Sequence, residues 1–227
     1  MAKKQPAKSA PSPNKTVLVV DDHPLFRAGV VGLVQQEPDL MVSAEVDNAA
    51  RALEAIERGQ PDIVLMDMGL PDKSGLELLK DVRAMYPDLR VLVISMHDET
   101  LYAERVIRAG GRGYIMKQEG AEKILEAIRK VLGGGIYVSE NIASLIVESL
   151  AEKRAEGAET SVARLSDREF EILRLIGRGI EAHDIARQLH LSIKTVDTHR
   201  GRIKEKLRLK NGTELIHYAV RWLGEQV

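Results

Sequence analysis

Four apolar runs in the first half of the chain each stop at a polar residue. Thr16-Val17-Leu18-Val19-Val20 runs into Asp21 and Asp22, and Ile63-Val64-Leu65-Met66 into Asp67. Val91-Leu92-Val93-Ile94 runs into Ser95, and Tyr114-Ile115-Met116 into Lys117. Short β-rich runs separated by helix-period stretches predict a parallel sheet with crossover helices. The pattern predicts strands near 16–21, 41–46, 62–67, 90–95 and 113–117. Helices are predicted near 24–36, 48–59, 75–86, 99–109 and 121–132, with Pro24 at a first helical position and Asn48 as an N-cap. The third predicted strand, Ile63-Val64-Leu65-Met66, is apolar throughout, as a strand covered on both faces must be. The predicted fold class is α/β, a five-stranded doubly wound parallel sheet over 16–137.

Gly133-Gly134-Gly135 closes that unit. A further helix is predicted over 139–154, with Ile142, Leu145, Ile146 and Leu150 spaced for one face. Ala155 to Ser161 reads as a hinge inside a linker over 138–163. The remainder, 164–227, reads as a small all-α domain of four helices. Ser166 and Glu169 form a capping box ahead of Phe170, Ile172, Leu173 and Ile176, and Gly177-Arg178-Gly179 stops that helix. A second helix runs from about Glu181 to His190. Ser192 caps a third, ending near Leu209, and Asn211 a fourth, ending near Trp222. Two short helices around His190-Leu191-Ser192 match a helix-turn-helix.

Composition narrows the chemistry. Cysteine is absent, which excludes disulfides and thiolate metal sites. No apolar stretch approaches a membrane span. Residues 1–15 lack the apolar core of a signal peptide and read as a disordered tail, so a cytoplasmic protein without a membrane partner is expected. The net charge of −1 conceals a division: 16–137 hold 14 basic against 20 acidic side chains, while 164–227 hold 13 basic against 9 acidic. An acidic front and a basic back predict two jobs, the second at a polyanion.

Ligands of doubly wound sheets bind beyond the carboxyl ends of the strands. Asp21, Asp22, Asp67, Ser95 and Lys117 are therefore expected to meet at one edge, as a site for Mg²⁺ and a phosphoryl group. Asp67 is the expected nucleophile, since a carboxylate can attack phosphorus to form an acyl phosphate. Asp21, Asp22 and Asp67 supply oxygen ligands to the hard ion, with the Gly69 carbonyl as a further ligand. Lys117 is expected to pair with phosphoryl oxygens and Ser95 to donate its hydroxyl proton.

The segments Val20-Asp21-Asp22-His23-Pro24, Met66-Asp67-Met68-Gly69-Leu70-Pro71, Ser95 and Gly113-Tyr114-Ile115-Met116-Lys117 resemble the receiver domain of bacterial two-component response regulators. The resemblance covers 16–137 and implies a flavodoxin-like fold. It implies that Asp67 takes a phosphoryl group from a cognate histidine kinase with Mg²⁺, and that Ser95 and Tyr114 form the switch, the Tyr114 ring following Ser95 inward. Gln118 departs from the proline that many receivers carry there, which leaves the Lys117–Gln118 peptide open to either isomer. In the family, positions 69 and 97 tune phosphoryl lifetime. His97 is then either a control on the attacking water or a solvated loop residue.

The stretch 194–210 is strongly basic. At 100° per residue Val196, Ile203 and Leu207 share a core face, with His199 and Arg200 at its margins, while Lys194, Asp197, Thr198, Gly201 and Glu205 project opposite. A helix anchored by one stripe and basic around its flanks fits a major groove. Leu165-Ser166-Asp167-Arg168-Glu169, Thr195-Val196-Asp197-Thr198-His199-Arg200 and Lys206-Leu207 are similar to the LuxR-type helix-turn-helix. With the receiver in front, the chain resembles the NarL/FixJ response regulators. The predicted DNA-facing set is Lys194, Thr195, Asp197, Thr198, Arg200, Gly201, Arg202 and Lys204. Lys194, Arg200, Arg202 and Lys204 are expected on phosphates. Asp197 either accepts from cytosine N4 or pairs with Arg200. Gly201 either permits close approach to DNA or is merely tolerated. The six histidines form no closed ligand set and read as structural.

The resemblance implies promoter DNA, a second copy of the chain on phosphorylation, and RNA polymerase as further partners. It implies no enzymatic activity beyond the receiver's own phosphotransfer and dephosphorylation. Three rivals stand beside it: an aspartyl-phosphate phosphatase, disfavoured by Gly69 where such enzymes carry a second aspartate; a regulator indifferent to phosphorylation; and a receiver acting on a protein partner.

Overall fold

The computed structural model describes residues 14–155, 161–189 and 191–224. The tail read over 1–15, apart from Asn14 and Lys15, lies outside these residues, as do His190 and most of the hinge read between 155 and 161. Five strands, β1 (Lys15–Val20), β2 (Leu40–Val46), β3 (Ile63–Met66), β4 (Arg90–Ser95) and β5 (Gly113–Met116), alternate with α1 (Pro24–Gln35), α2 (Ala49–Gly59), α3 (Gly75–Met85), α4 (Glu99–Arg108) and α5 (Ala121–Leu132). All neighbours pair in parallel, in the order β2-β1-β3-β4-β5.

The apolar runs are continuous because both faces of the sheet are covered. Strand residues point alternately to either side. Val17, Val19, Ile63, Leu65, Leu92 and Ile94 join Val30 and Val34 of α1 and Ile124 and Ile128 of α5. Leu18, Val20, Val64, Met66, Val91 and Val93 join Ile56 of α2, Leu79 of α3 and Val106 of α4. The run before Asp21 begins earlier than the pattern suggests. Lys15 donates its backbone N–H to Asp39 O at 2.9 Å, and its ammonium meets Asp62 at 2.8 Å, so it belongs to β1 rather than to a tail. Asn48 caps α2 by accepting from the Arg51 N–H at 2.9 Å.

Beyond the sheet come α6 (Glu140–Ala155), a 3-10 turn (Ser161–Arg164), α7 (Asp167–Gly177), α8 (Ala182–Gln188), α9 (Ile193–Leu207) and α10 (Gly212–Gly224). Of the predicted stripe on α6, Ile142 is buried and Ile146 partly so, while Leu145 is 44% exposed. The Leu150 side chain lies outside the description. The capping box forms: Ser166 Oγ accepts from the Glu169 N–H, and Glu169 Oε2 accepts from the Ser166 N–H at 2.7 Å. Phe170, Leu173, Ile185, Val196, Ile203, Leu215 and Ala219 form the core of this helical unit.

The helical unit docks on the sheet domain through α7. Arg105 of α4 lies 4.0 Å from the Phe170 ring centroid and donates to Val162 O at 2.9 Å and Leu165 O at 3.2 Å. Asp167 at the start of α7 pairs with Lys80 of α3 and with Arg105. Tyr102 of α4 meets Phe170 edge-on at 5.3 Å, and Phe170 meets Trp222 at 5.5 Å. One apolar cluster thus runs through both units.

Candidate functional site

Asp21, Asp67, Ser95 and Lys117 meet at the carboxyl edge of the sheet because each directly follows or ends a strand. All four are buried. Lys117 Nζ lies 2.7 Å from Asp21 Oδ2 and 2.7 Å from Asp67 Oδ2. The ammonium also sits 4.7 Å from the Phe26 ring centroid. Two buried carboxylates sharing one cation leave an acidic surplus, which suits a divalent ion. Asp21, Asp22, His23 and Asp67 each offer an atom within 4.8 Å of the others. Asp22 Oδ1 is buried without a hydrogen bond, although His23 Nδ1 stands 2.6 Å away. An orphaned carboxylate oxygen beside two others is a donor set that fits Mg²⁺, and the hard ion prefers those oxygens to the imidazole.

His23, read as structural from the sequence, belongs to this cluster, lying 3.6 Å from Asp67 Oδ2 and 3.5 Å from Lys117 Nζ. Its position directly after Asp22 is compatible with that place but does not by itself announce it. Gly69 is exposed two residues beyond Asp67. Gly75 was missed altogether. A Cβ there would stand 2.3 Å from Asp67 O, so α3 begins against the backbone of the acidic loop, where only glycine fits. The Lys117–Gln118 peptide is trans, since the described residues contain no cis bond.

Ser95 Oγ accepts from the His97 N–H at 3.1 Å. The Tyr114 hydroxyl donates to His97 O at 2.8 Å, and the residue is 1% exposed, its ring turned inward. His97 is no solvated loop residue. Its ring stacks on Tyr102 at 5.1 Å, and Nδ1 faces Arg174 of α7 at 3.4 Å. Burial, reinforced by Arg174, Arg178 and Lys117, pushes its pKa down to about 4. The imidazole is therefore neutral at pH 7.

The second candidate site is α9. Val196, Ile203 and Leu207 are buried, as their stripe predicts, and Ser192 caps the helix by accepting from the Thr195 N–H at 3.1 Å. Lys194, Asp197, Thr198 and Arg202 are exposed, while Thr195, Arg200, Gly201 and Lys204 are partly covered. Asp197 accepts from Arg200 at 3.3 Å, so the local pair exists in the chain alone. Nothing lies within 4 Å of a Cβ built on Gly201. Lys206, within the basic run, turns back to Glu169 at 2.6 Å. With α7 docked on the sheet domain, Lys194, Asp197, Thr198 and Arg202 of α9 stay open to solvent.

The parallel sheet, whose carboxyl edge gathers three aspartates, a serine and a lysine, is thus joined to a capped helix-turn-helix. Residues 17–129 match the response regulator receiver domain family, and residues 163–219 match the bacterial regulatory proteins of the luxR family. The chain is similar to the oxygen regulatory protein NreC of Staphylococcus carnosus, 33% identical across 90% of this chain and 96% of that one. It is similar to the response regulator UvrY of Escherichia coli K12, 33% identical across 90% and 93%. Its fold follows that of RcsB from Salmonella enterica serovar Typhimurium, solved bound to promoter rprA with the phosphomimetic BeF3⁻ (TM-score 0.60, 25% identity, 91% of this chain and 98% of that one). The chain belongs to the NarL/FixJ-type response regulators, transcription regulators with a receiver domain and a LuxR-type helix-turn-helix.

Proposed function

We propose that Asp67 is the phosphoacceptor and that its phosphorylation by a histidine kinase controls dimerisation and sequence-specific DNA binding through α9. The observation that carries this is the Lys117 ammonium, 2.7 Å from both Asp21 and Asp67 at the sheet's carboxyl edge. In the transfer step a carboxylate oxygen of Asp67 forms the new bond to phosphorus. The bond from phosphorus to the donor breaks, and its electron pair leaves with the donor. Lys117 holds phosphoryl oxygens, and Ser95 turns its hydroxyl from the His97 N–H toward them. Asp21, Asp22 and Asp67, with the Gly69 carbonyl, would hold Mg²⁺, which supplies charge neutralisation on the phosphoryl group.

Lys194, Arg200, Arg202 and Lys204 contact phosphates on this reading, with Thr195, Asp197, Thr198 and Gly201 facing the groove. The RcsB complex with promoter DNA supports this by likeness alone. RNA polymerase is the further partner on the promoter, and the receiver performs only its own phosphotransfer and dephosphorylation. The test measures mass, oligomeric state and DNA binding with acetyl phosphate and Mg²⁺, beside Asp67→Asn. The expected result is an adduct absent from the variant, accompanied by dimerisation and tighter binding. An adduct that changes neither assembly nor binding would sink the switch.

A further inference from the structure

Arg174 is a buried cation to which no carboxylate is bound. It is 5% exposed, and among the described residues no ion pair reaches it. Its guanidinium meets His97 Nδ1 at 3.4 Å, its guanidinium carbon lies 5.5 Å from the Tyr102 ring centroid, and its Nε has no hydrogen-bond partner; Glu171 on the same helix feels its charge but is engaged by Arg168 at 2.9 Å. A buried, unpaired charge is costly. Arg105 solves the same problem on the same interface with Asp167 and two backbone carbonyls.

The cleft that Arg174 borders indicates which anion would meet it. It encloses about 240 Å³ between the domains, and its receiver wall includes Asp22, Met68 and Gly69, the last two directly following Asp67. The other cations of the lining are engaged, Arg168 by Glu171 at 2.9 Å and Lys73 by Asp81. His97 bridges the two sides: its Nδ1 faces Arg174 at 3.4 Å, and its backbone N–H donates to Oγ of Ser95, on the same sheet edge as Asp67, at 3.1 Å.

We propose that Arg174 is a ligand of the phosphoryl group on Asp67, so that the DNA-binding domain completes the receiver's anion site. The proposal rests on Asp67 being the phosphoacceptor. A phosphoryl group brings close to two negative charges and three acceptor oxygens. Lys117 meets them as a point charge, and Ser95 adds one donor. The guanidinium offers a planar fork that neither provides. Engaging it draws Arg174 from His97 and Tyr102, which couples phosphorylation to the seat of α7 on α4.

The test titrates beryllofluoride with Mg²⁺ into the full chain and into Arg174→Ala and Arg174→Lys, and follows the lifetime of phospho-Asp67 in each. Arg174→Gln, which retains much of the side chain's length, replaces the alanine variant should that unfold. The expected result is roughly tenfold weaker beryllofluoride binding when the cation is removed, the scale of one charged hydrogen bond. A shorter phosphoryl lifetime and partial rescue by lysine should accompany it. Unchanged or tighter binding in Arg174→Ala would overturn the proposal, leaving Arg174 a latch between domains. Failure of the wild-type chain to take up either beryllofluoride or a phosphoryl group would instead remove the phosphoacceptor reading beneath it.

Discussion

The acidic edge of the receiver and the reading face of α9 both collect charge, but in opposite conditions. At the edge, Asp21, Asp67 and Lys117 are buried and hold one another at 2.7 Å. On α9, Lys194 and Arg202 stand in solvent, and the Asp197–Arg200 pair is local and exposed. Buried charges depend on each other, so deleting one strands the rest. Exposed charges are screened and contribute little until a polyanion arrives. On the function proposed above, one region would hold a defined small ion group and the other would add many weak contacts along a duplex.

The largest test of this difference is Lys117→Ala, which leaves Asp21 and Asp67 without their cation. Destabilisation of about 3–5 kcal/mol is expected in chelator. Urea unfolding should show part of it recovered with Mg²⁺, and equal loss with and without the ion would break the contrast.

Next comes the pH response of the docked interface. His97 falls from an ordinary 6.5 to about 4 through burial, then through Arg174, Arg178 and Lys117. The undocked or unfolded chain therefore binds more protons between those values, and stability is lost as pH falls through that window. The loss is about 2–3 kcal/mol by pH 4. Glu171, raised by burial, opposes it, since a carboxyl raised on docking favours the docked chain as pH falls. Unfolding midpoints of wild type and His97→Gln should lie close together near pH 7 and diverge as pH falls to 4, where only the wild type bears the cost of a charged imidazole.

On α9 the expected changes are smaller. Gly201→Ala should stabilise the domain by about 1 kcal/mol, since the added methyl meets nothing in the free chain. Weaker DNA binding in that more stable variant would assign Gly201 to close approach, and unchanged binding would make it a tolerated glycine. Arg202→Ala should weaken binding to all sequences alike and reduce the salt slope by about 1, read by titrations at several ionic strengths.

The sequence made the acidic edge legible because each of its polar residues ends an apolar run, and strand ends of a parallel sheet converge. The capping box and the α9 stripe were legible because they are local, within three or four residues. The docked interface was not. Arg105 meets Val162 and Leu165, and Arg174 meets His97, across 57 to 77 residues, with no periodicity to announce the pairing. His23 escaped for a different reason: a lone histidine after two aspartates looks the same whether it joins them or faces water. Gly75 gave only a loop signal, because the demand for it comes from the backbone oxygen of Asp67, which sequence patterning does not reveal.

The open reading face of α9 has a consequence for linkage. A ligand shifts an equilibrium only by the difference in its affinity for the two states. On the proposed DNA contacts, a duplex that reached the exposed Lys194, Thr198 and Arg202 with α7 still seated on α4 would gain little from undocking. Promoter and phosphoryl group then speak to each other weakly within one copy of the chain. By reciprocity, whatever cooperativity links them is expressed in how two copies are spaced on the duplex, and it should fade on a single half-site.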